Sequence, residues 1–68
     1  MKINILTLNW NGLEKITKLR DTLLPSLDGL SWQWFIRDNG SKDGSPEEIS
    51  TWKGNIHCEK INHNNDNN

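Results

Sequence analysis

The sequence lacks most of the features that stabilise a very small domain. Its 68 residues allow at most one domain, and a domain of about 60 residues buries only about 60% of the surface that its unfolded chain exposes. Cys58 is the single cysteine, so no internal disulfide can form. Hydrophobic residues make up 32% of the chain and charged residues 25%, which favours a polar globular protein.

Long hydrophobic runs and positive charge are also missing. The formal net charge is −1 and there is no basic patch, so we expect no nucleic-acid partner. The N-terminal run INILTL is short and Asn4 interrupts it, whereas a signal peptide has about 7–15 apolar residues. No stretch approaches the roughly 20 apolar residues of a membrane helix. We therefore expect a cytoplasmic protein.

Strand and helix patterns alternate along the chain. The segments KINILTL (2–8), WQWFIRD (32–38) and NIHCEKI (55–61) predict three strands. Asn11 is expected to cap a first helix, with Glu14 completing a capping box. One face of this helix is apolar and consists of Leu13, Ile16, Leu19, Leu23, Leu24 and Leu27.

Proline, glycine and serine mark the ends of the helices. Pro25 ends or kinks the first helix. A second, short helix is expected to begin with Ser45 as its N-cap, Pro46 at its first position and Glu48 closing another capping box. Gly54 is placed to end it. Arg20 falls within the apolar face of the first helix, so its charged end must extend to solvent.

The order strand, helix, strand, helix, strand predicts an α/β fold. It is typical of a parallel sheet with right-handed crossovers, that is, a Rossmann-like β-α-β-α-β unit. A parallel sheet is normally covered by helices on both faces, and two helices do not supply that cover. We therefore expect the truncated first half of a larger domain in residues 1–62, followed by a polar tail in residues 63–68.

Two polar segments are expected at the same edge of this sheet. Ligands of open parallel sheets bind beyond the carboxyl ends of the strands, where LNWNG (8–12) and RDNGSKDGS (37–45) begin. Asp38 and Asn39 offer a carboxylate and an amide that can pair with the polar edge of a nucleobase. Trp10 either stacks on a base or packs the strand–helix junction, and both interpretations stay open.

The same residues match other known motifs less well. The Asn-Gly step at Asn39 also favours a tight hairpin, although a helix signal follows it. A calcium loop starting there fails because Ser50 stands where a bidentate glutamate is needed. His57, Cys58 and His63 do not predict a metal site, because neighbours on a strand face opposite ways.

The two edge segments, taken together, resemble a known enzyme family. INILTLNWNG (3–12) and WFIRDNGSKDGSPEEI (34–49) strongly resemble the N-terminus of family 2 glycosyltransferases, which have the GT-A fold. In that family the first strand ends in T-Y-N or L-N-W-N-G, and the second ends in V-D-D/N-G-S-x-D-G-S/T. The resemblance extends from residue 3 to about residue 62. It implies that residues 1–62 are the nucleotide-sugar-binding portion of a GT-A domain.

The resemblance implies a role for each matching residue. These segments form the family's pocket for a UDP-, dTDP- or GDP-sugar. Asp38 and Asn39 would contact the base and ribose, and Trp10 would lie beside the base. Leu8 and Asn9 would line the pocket through their backbone. Many members carry a second aspartate where this chain has Asn39, so the base preference stays open.

The chain lacks the family's catalytic parts. It contains no D-x-D sequence, which in the family holds Mn²⁺ or Mg²⁺, and no acceptor-side catalytic base is recognisable. The resemblance thus implies a fragment, inactive alone, of an inverting glycosyltransferase that transfers a sugar to a glycan or lipid-linked acceptor. The alternative is a non-catalytic nucleotide-binding remnant. Association of the parent protein with the inner face of the membrane stays open.

Overall fold

The computed structural model describes residues 2–61 and contains three strands and two helices. These are β1 (Lys2–Asn9), α1 (Leu13–Ser26), β2 (Ser31–Asp38), α2 (Ser45–Ile49) and β3 (Ile56–Lys60). The strands lie within one residue of their predicted bounds, whereas α2 is shorter than predicted. The predicted tail at 63–68, the domain limit at residue 62 and the candidate ligand His63 lie outside the described residues.

The strands form one parallel sheet in the order β1-β2-β3. This confirms the α/β fold with a parallel sheet that the alternating patterns predict. It also excludes the hairpin at Asn39, because β2 and β3 run in the same direction. Leu8 pairs with Arg37 and Asn9 pairs with Asp38, so β1 and β2 end level with each other.

Both helices pack on the same face of the sheet. Consecutive right-handed crossovers between neighbouring strands carry each helix to the same side. The core therefore lies between that face and the helices, and its buried members are Ile16, Trp34, Ile36 and Ile49. The opposite face carries no helix in the described part of the chain, and there Leu6 is 82% exposed and Leu8 80%.

The N-terminal ends of the helices differ from the predictions. Gly12, not Asn11, is the N-cap of α1. As a glycine, it provides no side-chain hydrogen bond to the first turn of the helix. Asn11 has a φ of 48°, a left-handed conformation that asparagine tolerates better than most residues. Gly44, with a φ of 86°, is the N-cap of α2, and Ser45 is the first residue of that helix. The expected capping boxes are therefore wrong at both helices.

The C-terminal half of α1 follows the predictions more closely. Pro25 lies in the last turn, and the helix ends at the next residue. The guanidinium carbon of Arg20 lies 4.7 Å from the centre of the Trp52 ring, so this arginine extends over an aromatic face as its position in the apolar arc requires. None of the helices within residues 2–61 has the length and hydropathy needed to cross a bilayer.

Candidate functional site

The loops that follow β1 and β2 meet at the carboxyl edge of the sheet. The register places Asn9 beside Asp38, the last residue of each strand. One step further, the backbone N–H of Asn39 donates to the carbonyl oxygen of Asn9 over 2.9 Å. The two segments singled out in the sequence are therefore neighbours, as the parallel topology predicts.

The Asp38 side chain is the centre of a hydrogen-bond network at this edge. It is fully buried, and its Oδ1 accepts bonds from Asn9 Nδ2 at 2.8 Å and from the Ser41 hydroxyl at 2.6 Å. Its Oδ2 accepts a bond from the Ser41 backbone N–H at 2.8 Å. Desolvation raises the pKa of Asp38, but the hydrogen bonds from Ser41 and Asn9 outweigh it and leave the pKa below its ordinary value. The buried carboxyl group is therefore ionised at neutral pH.

A glycine makes room for the amide of this network. A Cβ atom added at Gly12 would lie 2.9 Å from Oδ1 of Asn9, closer than real Cβ atoms approach. Any side chain at this position would push the amide of Asn9 away from Asp38. Gly12 therefore serves both as the N-cap of α1 and as the space that the buried amide needs.

A second set of bonds joins the same loops further from the sheet. The side-chain oxygen of Asn11 accepts a bond from the Lys42 backbone N–H at 2.8 Å. Oδ2 of Asp43 accepts from the Leu13 N–H at 2.9 Å, so a residue of the second loop caps α1. Oδ1 of Asp43 accepts from both the backbone N–H and the hydroxyl of Ser45. The hydrogen bond from the Ser45 side chain is the main reason that the pKa of Asp43 lies below its ordinary value.

A groove of about 290 Å³ opens where the two loops meet, on the side of the sheet that carries no helix of residues 2–61. Its lining residues are Leu8, Asn9, Trp10, Arg37, Asn39 and Ile61. Trp10 is 66% exposed, so it does not pack the strand–helix junction as a core residue would. Four of the five residues implied by the family resemblance thus border one groove. Asp38 is the exception, because its side chain is fully buried and does not line the groove.

Two lining residues of the groove, Arg37 and Ile61, were not predicted as site residues. Arg37 directly precedes Asp38, and the alternation of side chains along β2 places it on the same face as its partner Leu8. The pairing of Leu8 with Arg37 shows the position of the arginine, and the sequence motifs do not give that pairing. Ile61 follows β3, and its N–H donates to the carbonyl oxygen of Asp38 over 2.8 Å.

The described residues do not form a site for a divalent ion. Among residues 2–61, no group of three or more His, Cys, Asp or Glu side chains lies close enough together to hold a metal. The carboxylates of Asp38 and Asp43 accept bonds from backbone N–H, amide and hydroxyl groups of their own loops. Such bonds suit carboxylates that shape a loop, and they use the oxygens that a metal would need.

Comparisons with protein-family models, with curated proteins and with solved structures found no match to this chain. The functional interpretation therefore depends on the two sequence segments and on the geometry of the groove between them. That geometry combines the exposed indole of Trp10, two amides and a guanidinium with the apolar side chains of Leu8 and Ile61. It is the composition expected of a small pocket for a flat polar ligand.

Proposed function

We propose that this chain is the nucleotide-binding portion of an inverting family 2 glycosyltransferase with the GT-A fold. The parent enzyme transfers a sugar from a UDP-, dTDP- or GDP-sugar to a glycan or lipid-linked acceptor. Its reaction takes place in the cytoplasm, and at the inner face of the membrane where the acceptor is lipid-linked. The observation that carries this proposal is the single groove lined by Leu8, Asn9, Trp10 and Asn39.

The groove residues have chemistry suited to a nucleoside. The exposed indole of Trp10 offers a face for a base to stack on, an interaction worth about 1–3 kcal/mol. The side chain of Asn39 carries both a donor and an acceptor for the polar edge of a base or for ribose hydroxyls. Leu8 and Ile61 supply apolar contacts to the remaining surface of the ring. A pocket of about 290 Å³ suits a nucleoside better than a whole nucleotide sugar.

In this proposal Asp38 is a positioning residue, because its carboxylate is buried and does not line the groove. Its carboxylate orients the amide of Asn9 and the hydroxyl of Ser41. Loss of the carboxylate would therefore change the shape of both loops that border the groove. Substitution of Asp38 is expected to weaken nucleotide binding through this route even where the carboxylate itself does not touch the ligand.

The chemical step belongs to parts of the parent enzyme outside residues 2–61. A divalent ion, Mn²⁺ or Mg²⁺, supplies stabilisation of the leaving diphosphate in such a transfer. A general base removes the proton from the attacking acceptor hydroxyl. The described residues hold neither the ion nor the base, so their contribution is to bind and orient the nucleoside end of the donor.

Titration calorimetry of the 68-residue chain with UDP, dTDP and GDP tests the proposal. We expect saturable binding of at least one of them, with no requirement for Mn²⁺, because the metal ligands lie elsewhere. A chain that is folded by circular dichroism and binds none of the three would overturn the proposal. Sugar-transfer assays of the longer parent protein then separate the enzyme from the non-catalytic alternative.

A further inference from the structure

Arg37 lines the groove, and the sequence motifs give this residue no role. It is paired with Leu8 on one side and with Glu59 on the other, near the carboxyl edge of the sheet. Its side chain is 56% exposed and lines the same groove as Trp10 and Asn39. A ligand that stacks on the indole of Trp10 therefore comes within reach of a guanidinium group.

Most of the hydrogen-bonding capacity of Arg37 is available to a ligand. A guanidinium has five N–H groups and no acceptor. One of them donates to Oε1 of Glu59 over 3.2 Å, and Glu59 is itself 71% exposed. Within residues 2–61 the other N–H groups of Arg37 have no hydrogen-bond partner. Exposed ion pairs of this kind hold their partners weakly, so the guanidinium can turn toward the groove.

We propose that Arg37 makes the site selective for guanine nucleotides, an inference that rests on the proposed nucleotide-binding function. Guanine presents two neighbouring acceptors, O6 and N7, which an arginine contacts with two parallel N–H groups. Adenine presents N7 next to an amino donor, which opposes a guanidinium. Uracil and thymine present O4 without a second acceptor beside it. Among guanine, adenine, uracil and thymine, guanine is therefore the base that presents two neighbouring acceptors to a group that only donates.

The apolar lining of the groove favours a base over a phosphate group as the partner of Arg37. Leu8, Trp10 and Ile61 line the same groove as the guanidinium. An aromatic ring buries its faces against such residues and keeps its polar edge for Arg37. A phosphate group placed there would exchange part of its hydration for apolar neighbours and gain one cation, whereas a base gains contacts with both its faces and its edge.

Nucleotide titrations of the 68-residue chain and its variants test this selectivity. We expect GDP to bind about 5- to 150-fold more tightly than UDP, dTDP or ADP. In Arg37→Gln the preference should change from GDP to ADP, because glutamine pairs with N6 and N7 of adenine. Arg37→Lys should keep a reduced preference for GDP. Glu59→Gln is the matched control: it removes the ion pair, leaves the guanidinium in place, and should preserve or tighten GDP binding.

The possible results have distinct meanings. UDP or dTDP binding as tight as GDP binding would overturn the selectivity of Arg37 and leave the proposed nucleotide site standing. Equal weakening of all four nucleotides in Arg37→Gln, with guanosine binding unchanged, would show a phosphate contact and would also overturn it. Failure of every nucleotide to bind a folded chain would overturn the proposed function itself. Circular dichroism of each variant confirms that the fold is kept.

Discussion

The side-chain amide of Asn9 donates a hydrogen bond to the carboxylate of Asp38, and the two atoms lie 2.8 Å apart. Both groups are removed from solvent, since Asn9 is 5% exposed and Asp38 0%. The bond joins the last residues of two neighbouring strands. The loop after β1 and the loop after β2 therefore take their shapes from each other.

Loss of this amide should destabilise the protein measurably. Asn9→Ala leaves a buried carboxylate oxygen with one partner fewer, which costs about 1–3 kcal/mol. Urea unfolding measures the loss. Asn4→Ala is the control, because Asn4 lies on the same strand with its side chain exposed, and it should change stability by less than about 0.5 kcal/mol. Equal losses in the two variants would contradict the structural role of the Asn9–Asp38 bond.

Stability should depend on pH through the two loop aspartates. The pKa values of Asp38 and Asp43 lie below the ordinary value of 3.8 in the folded chain. Their contribution to folding is thus present above that pH, and it is lost as the pH falls through the lowered pKa values. We expect urea midpoints that are level near neutral pH and decline below about pH 4. Asp38→Asn should lower stability at neutral pH and flatten the acid decline, and an unchanged decline would contradict the assignment to Asp38.

The cap that Asp43 provides from the second loop can be tested on its own. Its carboxylate accepts bonds from the first turn of α1, through Leu13, and from the start of α2, through Ser45. Asp43→Ala should lower the melting temperature measured by circular dichroism, because both helix starts lose an acceptor. Asp28→Ala, in the exposed turn between α1 and β2, is the matched control and should melt like the original chain.

The two faces of the sheet should respond differently to truncation of a side chain. Ile36 is 1% exposed on the face covered by the helices, and Leu6 is 82% exposed on the opposite face. Ile36→Ala should cost about 2–5 kcal/mol in urea unfolding, whereas Leu6→Ala should cost less than about 0.5 kcal/mol. Equal costs would mean that Leu6 is buried in solution.

Trp10 should contribute to nucleotide binding without contributing to stability. Its ring is 66% exposed at the groove, so Trp10→Ala should leave the urea midpoint unchanged. Loss of a stacking surface should weaken nucleotide binding about 5- to 150-fold in calorimetric titrations. Phe35→Ala is the control, since Phe35 is also an exposed aromatic residue but does not line the groove. An equal effect on binding from Phe35→Ala would remove the special role of Trp10.

The fold could be predicted from the sequence because local patterns specify it strongly. Short β-branched and aromatic runs alternate with a helical stripe, and only a parallel α/β arrangement accommodates that order. The same topology places the ends of β1 and β2 at one edge. It therefore brings Leu8, Asn9, Trp10 and Asn39 to one groove, although no single motif shows their contact.

The parts that could not be predicted depend on bonds between distant residues. Asn11 and Glu14 have the spacing of a capping box, but the acceptor for the first turn of α1 comes from Asp43, 30 positions from Leu13. The bond that Asn9 makes to the Asp38 carboxylate likewise joins residues that are far apart in the sequence. The spacing of residues along the sequence cannot show which acceptor bonds a given N–H group, because only the folded chain brings distant residues together.

The hydrogen bonds between the two loops affect how much conformational entropy the protein loses when it binds a ligand. A pocket built from separate mobile segments loses conformational freedom when its ligand arrives, at about 0.5–1.5 kcal/mol for each side chain that becomes fixed. Here hydrogen bonds of Asn9, Ser41 and Asp43 join the two loops to each other. The entropy of ordering the two loops is thus lost during folding, and a bound molecule has to fix mainly the exposed side chains of Trp10 and Arg37.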